Sequence, residues 1–340
     1  WTLLMNPLSS NSHVCKYKKH SIIFTGISNF HQRVMRSKVK DEDVYVVFTA
    51  FYVGANQRGM FTNWFRKIIS KRGRFILVLN SYEEEVNVRK RFGREILERD
   101  IIVLHVGEFV LHYLINGKPF YIKDVKKEYG PIFNSKKVGY KNRGLGDHVT
   151  DKILITSTPQ KETGNIPCLF KNEKLLSYPE LNDLLNKCTM GMMLSKKEGQ
   201  PRAMIEYFLC GLPMVSLEAD GGRMSYLNKE NSVIVKNSNS VKDDIKRAVD
   251  FLNENLEEYS AVDIRNNFVS NMRFALDIIL KNAALILNST YGYNITDEVL
   301  INSIDSSAFE TSPELKDASP QPLNFEGAYT YINNLPDKAH

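Results

Sequence analysis

The sequence predicts an α/β fold of two lobes, each a doubly wound, mostly parallel sheet flanked by helices. Three observations predict it. Short apolar runs rich in β-branched and aromatic residues alternate with amphipathic stretches, as strands buried on both faces alternate with helices. The runs form two series, one before residue 110 and one after 150, separated by the Gly-, Asn- and charge-rich "YKNRGLGDH". A length of 340 residues, 43% apolar and 25% charged, is comfortable for two globular domains.

Taken in order, "SIIFTGI", "VYVVFTAF", "RFILVLN" and "DIIVLHV" are the expected strands of the first lobe, with helical stretches such as 82–98 between them. The second series is "DKILITST", then "EKLLSY" as a weaker strand candidate, "MGMMLS", "LPMVSLE" and "NSVIV". Residues 241–285 have helical periodicity, in "VKDDIKRAVDFLNENL" and again through "MRFALDIILKNAALIL". Beyond Asn288 the chain turns polar, and "SSAFETSPELKDASPQP" has the Ser, Pro and acid content of an extended appendage. The expected division is a first lobe over 16–130, a second over 131–285 and a polar C-terminal extension over 286–340.

No run approaches the eighteen or so apolar residues of a spanning helix, and "WTLLMNPLSS" has neither a basic n-region nor a long apolar h-region. The expected location is cytoplasmic. Cys15, Cys168, Cys188 and Cys210 form no C-x-x-C pair, which favours reduced thiols over a disulfide framework. The net charge of +6 is unevenly spread: residues 1–150 carry 26 Lys+Arg against 13 Asp+Glu, and the remainder 19 against 26. A basic first lobe would attract an anionic acceptor or a membrane surface, giving peripheral membrane association; a solvated lysine-rich surface is the alternative. Nucleic acid is the less favoured partner, because "KYKK", "KRGR" and "RKRFGR" lack the aromatic interleaving of an RNA-binding sheet.

The segment that carries chemistry is "EGQPRAMIEYFLCGLP", Glu198 to Pro213. Pro201 suits the first turn of a helix, and Gly211 suits a left-handed cap at its end. The segment is therefore strand, loop, helix, with the loop leaving "MGMMLS" at the C-terminal edge where open α/β sheets place their ligands. The unpaired N–H groups and positive dipole end of that helix face the same edge. Glu198 falls in the loop and Glu206 on the helix's second turn, so the two carboxylates can meet different parts of an elongated ligand. Carboxylates accept from vicinal hydroxyls, which suits polyols. The competing reading pairs Glu206 with Arg202 at i, i+4 on an exposed face.

The stretch "LNDLLNKCTMGMMLSKKEGQPRAMIEYFLCGLPMVSLEADGGRMSYL" resembles the donor-binding core of the group 1 (family 4) retaining glycosyltransferases of the GT-B fold. Ser195, Glu198, Gly199, Pro201, Glu206, Gly211, Pro213, Gly221 and Gly222 fall on that family's pattern, and the match covers about 181–255. The resemblance implies two Rossmann-like lobes with an active-site cleft between them, and transfer of a sugar from a nucleotide diphosphate sugar to an acceptor hydroxyl of a glycan or glycolipid. Retention at the anomeric carbon is implied by the family alone. Glu198 would hold the donor sugar, Glu206 the ribose hydroxyls, and the N–H groups around Gly199 and Gln200 the sugar or phosphates, with Gly222 in the following Gly-Gly turn.

The family carries Arg and Lys after the first strand of the second lobe, where they neutralise the diphosphate. Here "ITSTPQKETG" offers Lys161 but Thr156 in the arginine's place, and Arg143 is the alternative if the lobe begins earlier. In the first lobe "VYVVFTAFYVGANQRGMFTNWFRKIISKRGRFILVLN" resembles the family's opening unit, in which Gly54 would let the backbone approach the phosphates. His105, at the end of "DIIVLH", is similar to a histidine near the donor sugar, though a histidine at a strand end is commonly a hydrogen-bonded structural residue. No metal or other cofactor is expected: "DED" at 41–43 precedes a strand and reads as a charged loop, and cationic side chains with a helix N-terminus can take the diphosphate's charge. A non-catalytic binding protein of the same fold, favoured by the missing arginine, and a nucleic-acid modifying glycosyltransferase are the alternatives.

Overall fold

The computed structural model describes residues 12–17, 19–27, 39–49, 53, 63, 65–66, 74–98, 101–107, 110, 119–134, 141–156, 167–296 and 330–331. The chain divides into two compact units, Trp1–Lys118 with Asn271–Pro320 and Pro119–Ser270 with Gln321–His340.

The first unit holds a five-stranded sheet: β1 (Ser12–Tyr17), β2 (His20–Gly26), β3 (Val44–Phe48), β4 (Arg74–Val78) and β5 (Ile102–Leu104), in that spatial order. The four expected strands are β2 to β5, and they pair in parallel; β1 adds to the edge antiparallel. Every residue of β3 is buried, as its unbroken apolar run requires. Helix α1 (Tyr82–Glu98) turns Glu84, Val88, Phe92 and Ile96 inward at every fourth position, and the three apolar members join Tyr45, Phe75 and Leu77 in one core. Asp43 of the "DED" segment is 5% exposed and accepts from the Ser21 N–H at 2.9 Å, so it is a buried structural carboxylate and not simply part of a charged loop.

The second unit holds β6 (Tyr129–Asn134), β7 (Ile153–Ile155), β8 (Phe170–Lys171), β9 (Cys188–Met193), β10 (Met214–Leu217), β11 (Ser232–Val235) and β12 (Thr330–Tyr331). All pair in parallel, in the order β12-β11-β10-β9-β6-β7-β8. From β6 the chain winds outward through β7 and β8, crosses back to β9, and winds the other way through β10 and β11. The winding reverses between β6 and β9, the topological switch point at which a doubly wound sheet opens for ligands.

Two strand expectations need correcting. The stretch expected to link the two series contains β6, and that strand is central. "EKLLSY" is not a strand: Ser177 caps helix α2 (Tyr178–Asn186) in a reciprocal capping box with Glu180, and the strand of this region is β8, upstream. Helix α3 is Arg202–Leu209, α4 Val241–Glu254 and α5 Ala261–Tyr291, so the helical region runs past 285 and includes the first residues of the expected polar extension. Thr330–Tyr331, further along that extension, pairs with β11. Among the described residues, no helix is long and apolar enough to cross a membrane.

Candidate active site

The site is assembled by the segments that leave the ends of β6, β9 and β10. Helix α3 starts directly after Pro201, which is its N-cap, and ends on a Schellman motif: Gly211 N–H bonds to Phe208 O at 3.0 Å and Leu212 N–H to Tyr207 O at 2.9 Å. Gly211 takes φ +69°, and a Cβ there would lie 2.6 Å from the Ala261 carbonyl oxygen. The helix lies against β9 at Gly191, where a Cβ would fall 2.2 Å from the Tyr207 ring. Only glycine permits that approach. The Tyr207 hydroxyl donates to Ile132 O at 3.2 Å and accepts from Asn134 N–H at 2.9 Å, which pins α3 to the end of β6.

That attachment sets Glu206. It is 7% exposed, and its Oε2 accepts from Asn134 Nδ2 at 2.9 Å. Burial pushes its pKa up to about 7, against the opposing pull of the Asn134 hydrogen bond and the Arg202 charge. An exposed i, i+4 pair with Arg202 is therefore not its environment.

Glu198 sits in the loop after β9, its backbone N–H on Asp220 O at 3.2 Å. Its two oxygens are engaged separately: Lys141 Nζ pairs with Oε1, and Ser195 Oγ donates to Oε2. Behind them lies Arg223, fully buried, with Nη1 donating to Ser195 Oγ at 2.6 Å and Nη2 to the carbonyls of Ser195 and Leu217. Its Nη1 stands 3.8 Å from Glu198 Oε2, while its Nε is buried with no hydrogen-bond acceptor. Burial pulls the guanidinium down to about 10, so it remains a cation at neutral pH. The arginine ties the end of β9 to the end of β10, and its backbone N–H bonds to Gly199 O at 3.1 Å. Gln200, 4% exposed, hydrogen-bonds the Tyr226 hydroxyl of the 3-10 turn Gly222–Tyr226, which places Gly222 beside the same loop.

The loop after β6 supplies the third side. Asn142, at φ 49°, donates through Nδ2 to Leu194 O at 3.0 Å and leads into the 3-10 turn Arg143–Gly146. Buried Lys152 holds that turn by donating to the carbonyls of Gly146 at 2.8 Å, Val149 at 2.7 Å and Pro167. Because β6 is the first strand of this sheet, the segment carrying Lys141 and Arg143 occupies the position after the first strand. Thr156 instead follows the second, with its N–H on Asn172 Oδ1 at 2.9 Å.

Of the residues expected from sequence, Glu198, Gly199, Gln200, Glu206, Gly222 and Arg143 thus gather in the second unit. Lys161 and Gly54 lie outside the described residues. His105 belongs to the first unit, where Nδ1 pairs with Glu85 and the ring meets Tyr82 edge-on at 5.5 Å. Sequence reasoning missed Lys141, Asn134 and Arg223. The last had a signal: a cation immediately after the Gly-Gly pair that follows an apolar strand. Among the described residues no group of three or more His, Cys, Asp or Glu side chains could hold a metal ion.

No family model matches the chain, and no curated protein matches it. Among solved structures, HepE from Anabaena in complex with UDP matches with TM-score 0.50 at 14% identity, over 79% of this chain and 78% of HepE. TarM matches with TM-score 0.45 at 13% identity, over 83% of this chain and 58% of TarM. WaaG, a glycosyltransferase involved in lipopolysaccharide biosynthesis, matches with TM-score 0.45 at 14% identity, over 74% of this chain and 81% of WaaG. The chain thus spans a little under three-fifths of TarM's length. At such identities the likeness speaks for fold alone. Two parallel-sheet α/β units, matched at TM-score 0.50 by HepE, make the fold that of the GT-B glycosyltransferases.

Proposed function

We propose that this chain is a glycosyltransferase that moves a sugar from a nucleoside diphosphate sugar to an acceptor hydroxyl, with retention at the anomeric carbon. The observation that carries the reading is the pair of carboxylates at the switch point. Glu206 is buried beside the end of β6, and Glu198 is held between Lys141 and the Ser195–Arg223 pair at the end of β9. Glu206 is suited to the ribose hydroxyls and Glu198 to the donor sugar, as the family resemblance implies. The UDP held by HepE supports a nucleoside diphosphate as the leaving group.

In this reading Lys141, Arg143 and the N-terminus of α3, with the N–H groups around Gly199 and Gln200, spread the charge of the departing diphosphate. Bond cleavage then leaves an oxocarbenium-like centre that the acceptor hydroxyl attacks on the leaving-group face. The acceptor's proton passes to the leaving phosphate oxygen, so no separate base is needed. The acceptor is a glycan or glycolipid, and the basic first 150 residues favour an anionic one or a membrane surface that presents it. No metal is required where fixed cations carry this load.

The direct test is a thermal-shift screen of nucleotide sugars followed by a donor-hydrolysis assay. A donor at 100 times its dissociation constant should add about 2.7 kcal/mol to stability. Binding without hydrolysis or transfer across acceptors would mark a binding protein of this fold, and no stabilisation by any nucleotide sugar would refute the reading.

A further inference from the structure

We propose that Arg223 is a positioning residue: acting through the Ser195 hydroxyl, it fixes the Glu198 carboxylate as a hydrogen-bond acceptor for a ligand hydroxyl. The inference rests on the reading that Glu198 meets the sugar of a nucleotide sugar, and adds the device that orients it.

The backbone around Glu198 is held without help from side chains. Asp220 N–H bonds to Lys196 O at 2.9 Å, Glu198 N–H to Asp220 O at 3.2 Å and Arg223 N–H to Gly199 O at 3.1 Å, so the loop after β9 is joined to the segment after β10. Those bonds leave the carboxylate's own orientation open. Its Oε2 accepts from Ser195 Oγ, and Arg223 sets the direction of that hydroxyl. The guanidinium donates from Nη1 to Ser195 Oγ at 2.6 Å and has no lone pair with which to accept. A hydroxyl carries one hydrogen, and with Nη1 on a lone pair that hydrogen is left for Oε2.

Tying strands together does not by itself account for this arginine. Nη2 donates to the carbonyls of Ser195 and Leu217, bonds that a neutral amide could make, whereas a fully buried guanidinium is costly to desolvate. Its Nε is buried with no acceptor, and Nη1 lies 3.8 Å from Glu198 Oε2, whose charge opposes the effect of burial on the guanidinium. The charge is therefore matched to Glu198. With Oε2 occupied by a donated hydrogen, the carboxylate can add only bonds in which it accepts, so the ligand group that meets it must bring a hydrogen, as a sugar hydroxyl does.

Replacing Arg223 strands two carbonyls and puts the fold itself at risk, so Ser195→Ala carries the test: it keeps the tie and breaks only the relay. Calorimetry on the full chain compares UDP-glucose, GDP-mannose and ADP-glucose with UDP, GDP and ADP in the unmodified protein, Ser195→Ala, Glu198→Gln and the double variant. Each single change should weaken the nucleotide sugar about tenfold, the loss of one charge-assisted hydrogen bond, and leave the nucleoside diphosphate unchanged. The losses should not add, because Ser195 acts through Glu198. Ser195→Thr, which keeps the hydroxyl, should restore affinity. Arg223→Lys, with donors and no acceptor, should retain affinity that Arg223→Gln loses, since glutamine can accept from Ser195 and release Glu198; if neither folds, the Ser195 variants decide. A crystal structure of Ser195→Ala should show Arg223 still on its two carbonyls and the Glu198 carboxylate rotated from its place. An unmoved carboxylate, a loss that falls equally on nucleotide sugar and nucleotide, or one that adds in full to that of Glu198→Gln would overturn the positioning role. A rotated carboxylate in a chain that binds none of the nucleotide sugars would uphold the positioning of Glu198 and refute the nucleotide-sugar reading.

Discussion

Glu206 should cost the fold stability and be needed by the ligand, and replacing it with glutamine separates the two effects. Its pKa rises from 4.5 to about 7 because burial disfavours the ionised form. A carboxyl raised in this way adds to stability below pH 4.5, where both folded and unfolded chains hold the proton, and that contribution is lost as pH rises through 7. At about 1.4 kcal/mol per pH unit, the loss across that window is about 3 kcal/mol. A glutamine in its place would still accept from Asn134 and has no proton to lose. Glu206→Gln should therefore match the unmodified chain near pH 4.5 and exceed it by about 3 kcal/mol at pH 8. It should also bind the nucleoside diphosphate roughly 1.5–3 kcal/mol more weakly, the loss of a charge-assisted pair.

The assay must resolve two units. Both tryptophans, Trp1 and Trp64, fall within the sequence span of the first unit, so tryptophan fluorescence is the probe to set against far-ultraviolet circular dichroism, which follows both units. The urea transition present in dichroism but missing from fluorescence belongs to the second unit. Its midpoint, measured from pH 4.5 to 8, gives the stability curve, and calorimetry at pH 8 gives the affinity. Parallel pH curves for the two proteins would refute the burial argument. A stability gain with unchanged nucleotide affinity would leave Glu206 a structural acid and refute its ribose role.

The first unit carries a counterpart, since Glu84 is fully buried with a pKa pushed up to about 7, and accepts from the Val53 and Asn80 N–H groups at 2.6 Å each; Glu84→Gln should flatten the fall of the fluorescence-detected midpoint between pH 4.5 and 7. Gly191→Ala should destabilise the second unit by about 1–3 kcal/mol or more, read in the dichroism transition, because the Tyr207 ring it would strike is fixed at its hydroxyl by β6. Transfer should persist in excess chelator, and its complete loss, restored by a divalent ion, would displace the fixed cations from the proposed role. If the basic surface docks an anionic acceptor or membrane, Lys90→Glu with Arg91→Glu should reduce flotation with anionic vesicles and make acceptor kinetics resemble those in high salt. These positions are exposed on α1, and Arg89 is left in place because it pairs with Glu85, the partner of His105.

The strands that proved legible in the sequence are those whose apolar runs are uninterrupted: "VYVVF" and "SVIV" are buried at every position, and their shortness and β-branched content argue for strand where periodicity alone would not. Strand β6 was missed for a physical reason. "YGPIFN" carries Gly130 and Pro131 at its second and third positions, and proline, lacking an N–H, argues against a central strand. Yet Pro131 pairs with Met190 in the middle of the sheet. With β6 as the first strand of its sheet, the segment carrying Lys141 and Arg143 follows that strand and Thr156 follows the second.

Spacing alone left Glu206 open to an exposed pairing with Arg202, but the helix around it already argued against a solvent face. From Ala203 to Leu209 every other residue of "RAMIEYFL" is apolar, and all seven positions, Glu206 included, are buried. A helix that is hydrophobic all round is buried all round, so a glutamate within it has to be neutralised, hydrogen-bonded or waiting for a ligand. The structure supplies one hydrogen bond, from Asn134, and a pKa near 7. That leaves a carboxyl poised between its two protonation states. A nucleotide sugar diphosphate does not itself titrate near pH 7, so its affinity should rise with pH through the Glu206 transition as the carboxylate becomes available to the ribose. The same titration should leave the affinity of Glu206→Gln flat. An unmodified chain whose donor affinity is equally flat from pH 5.5 to 8 would show that the ribose does not depend on this carboxylate's charge.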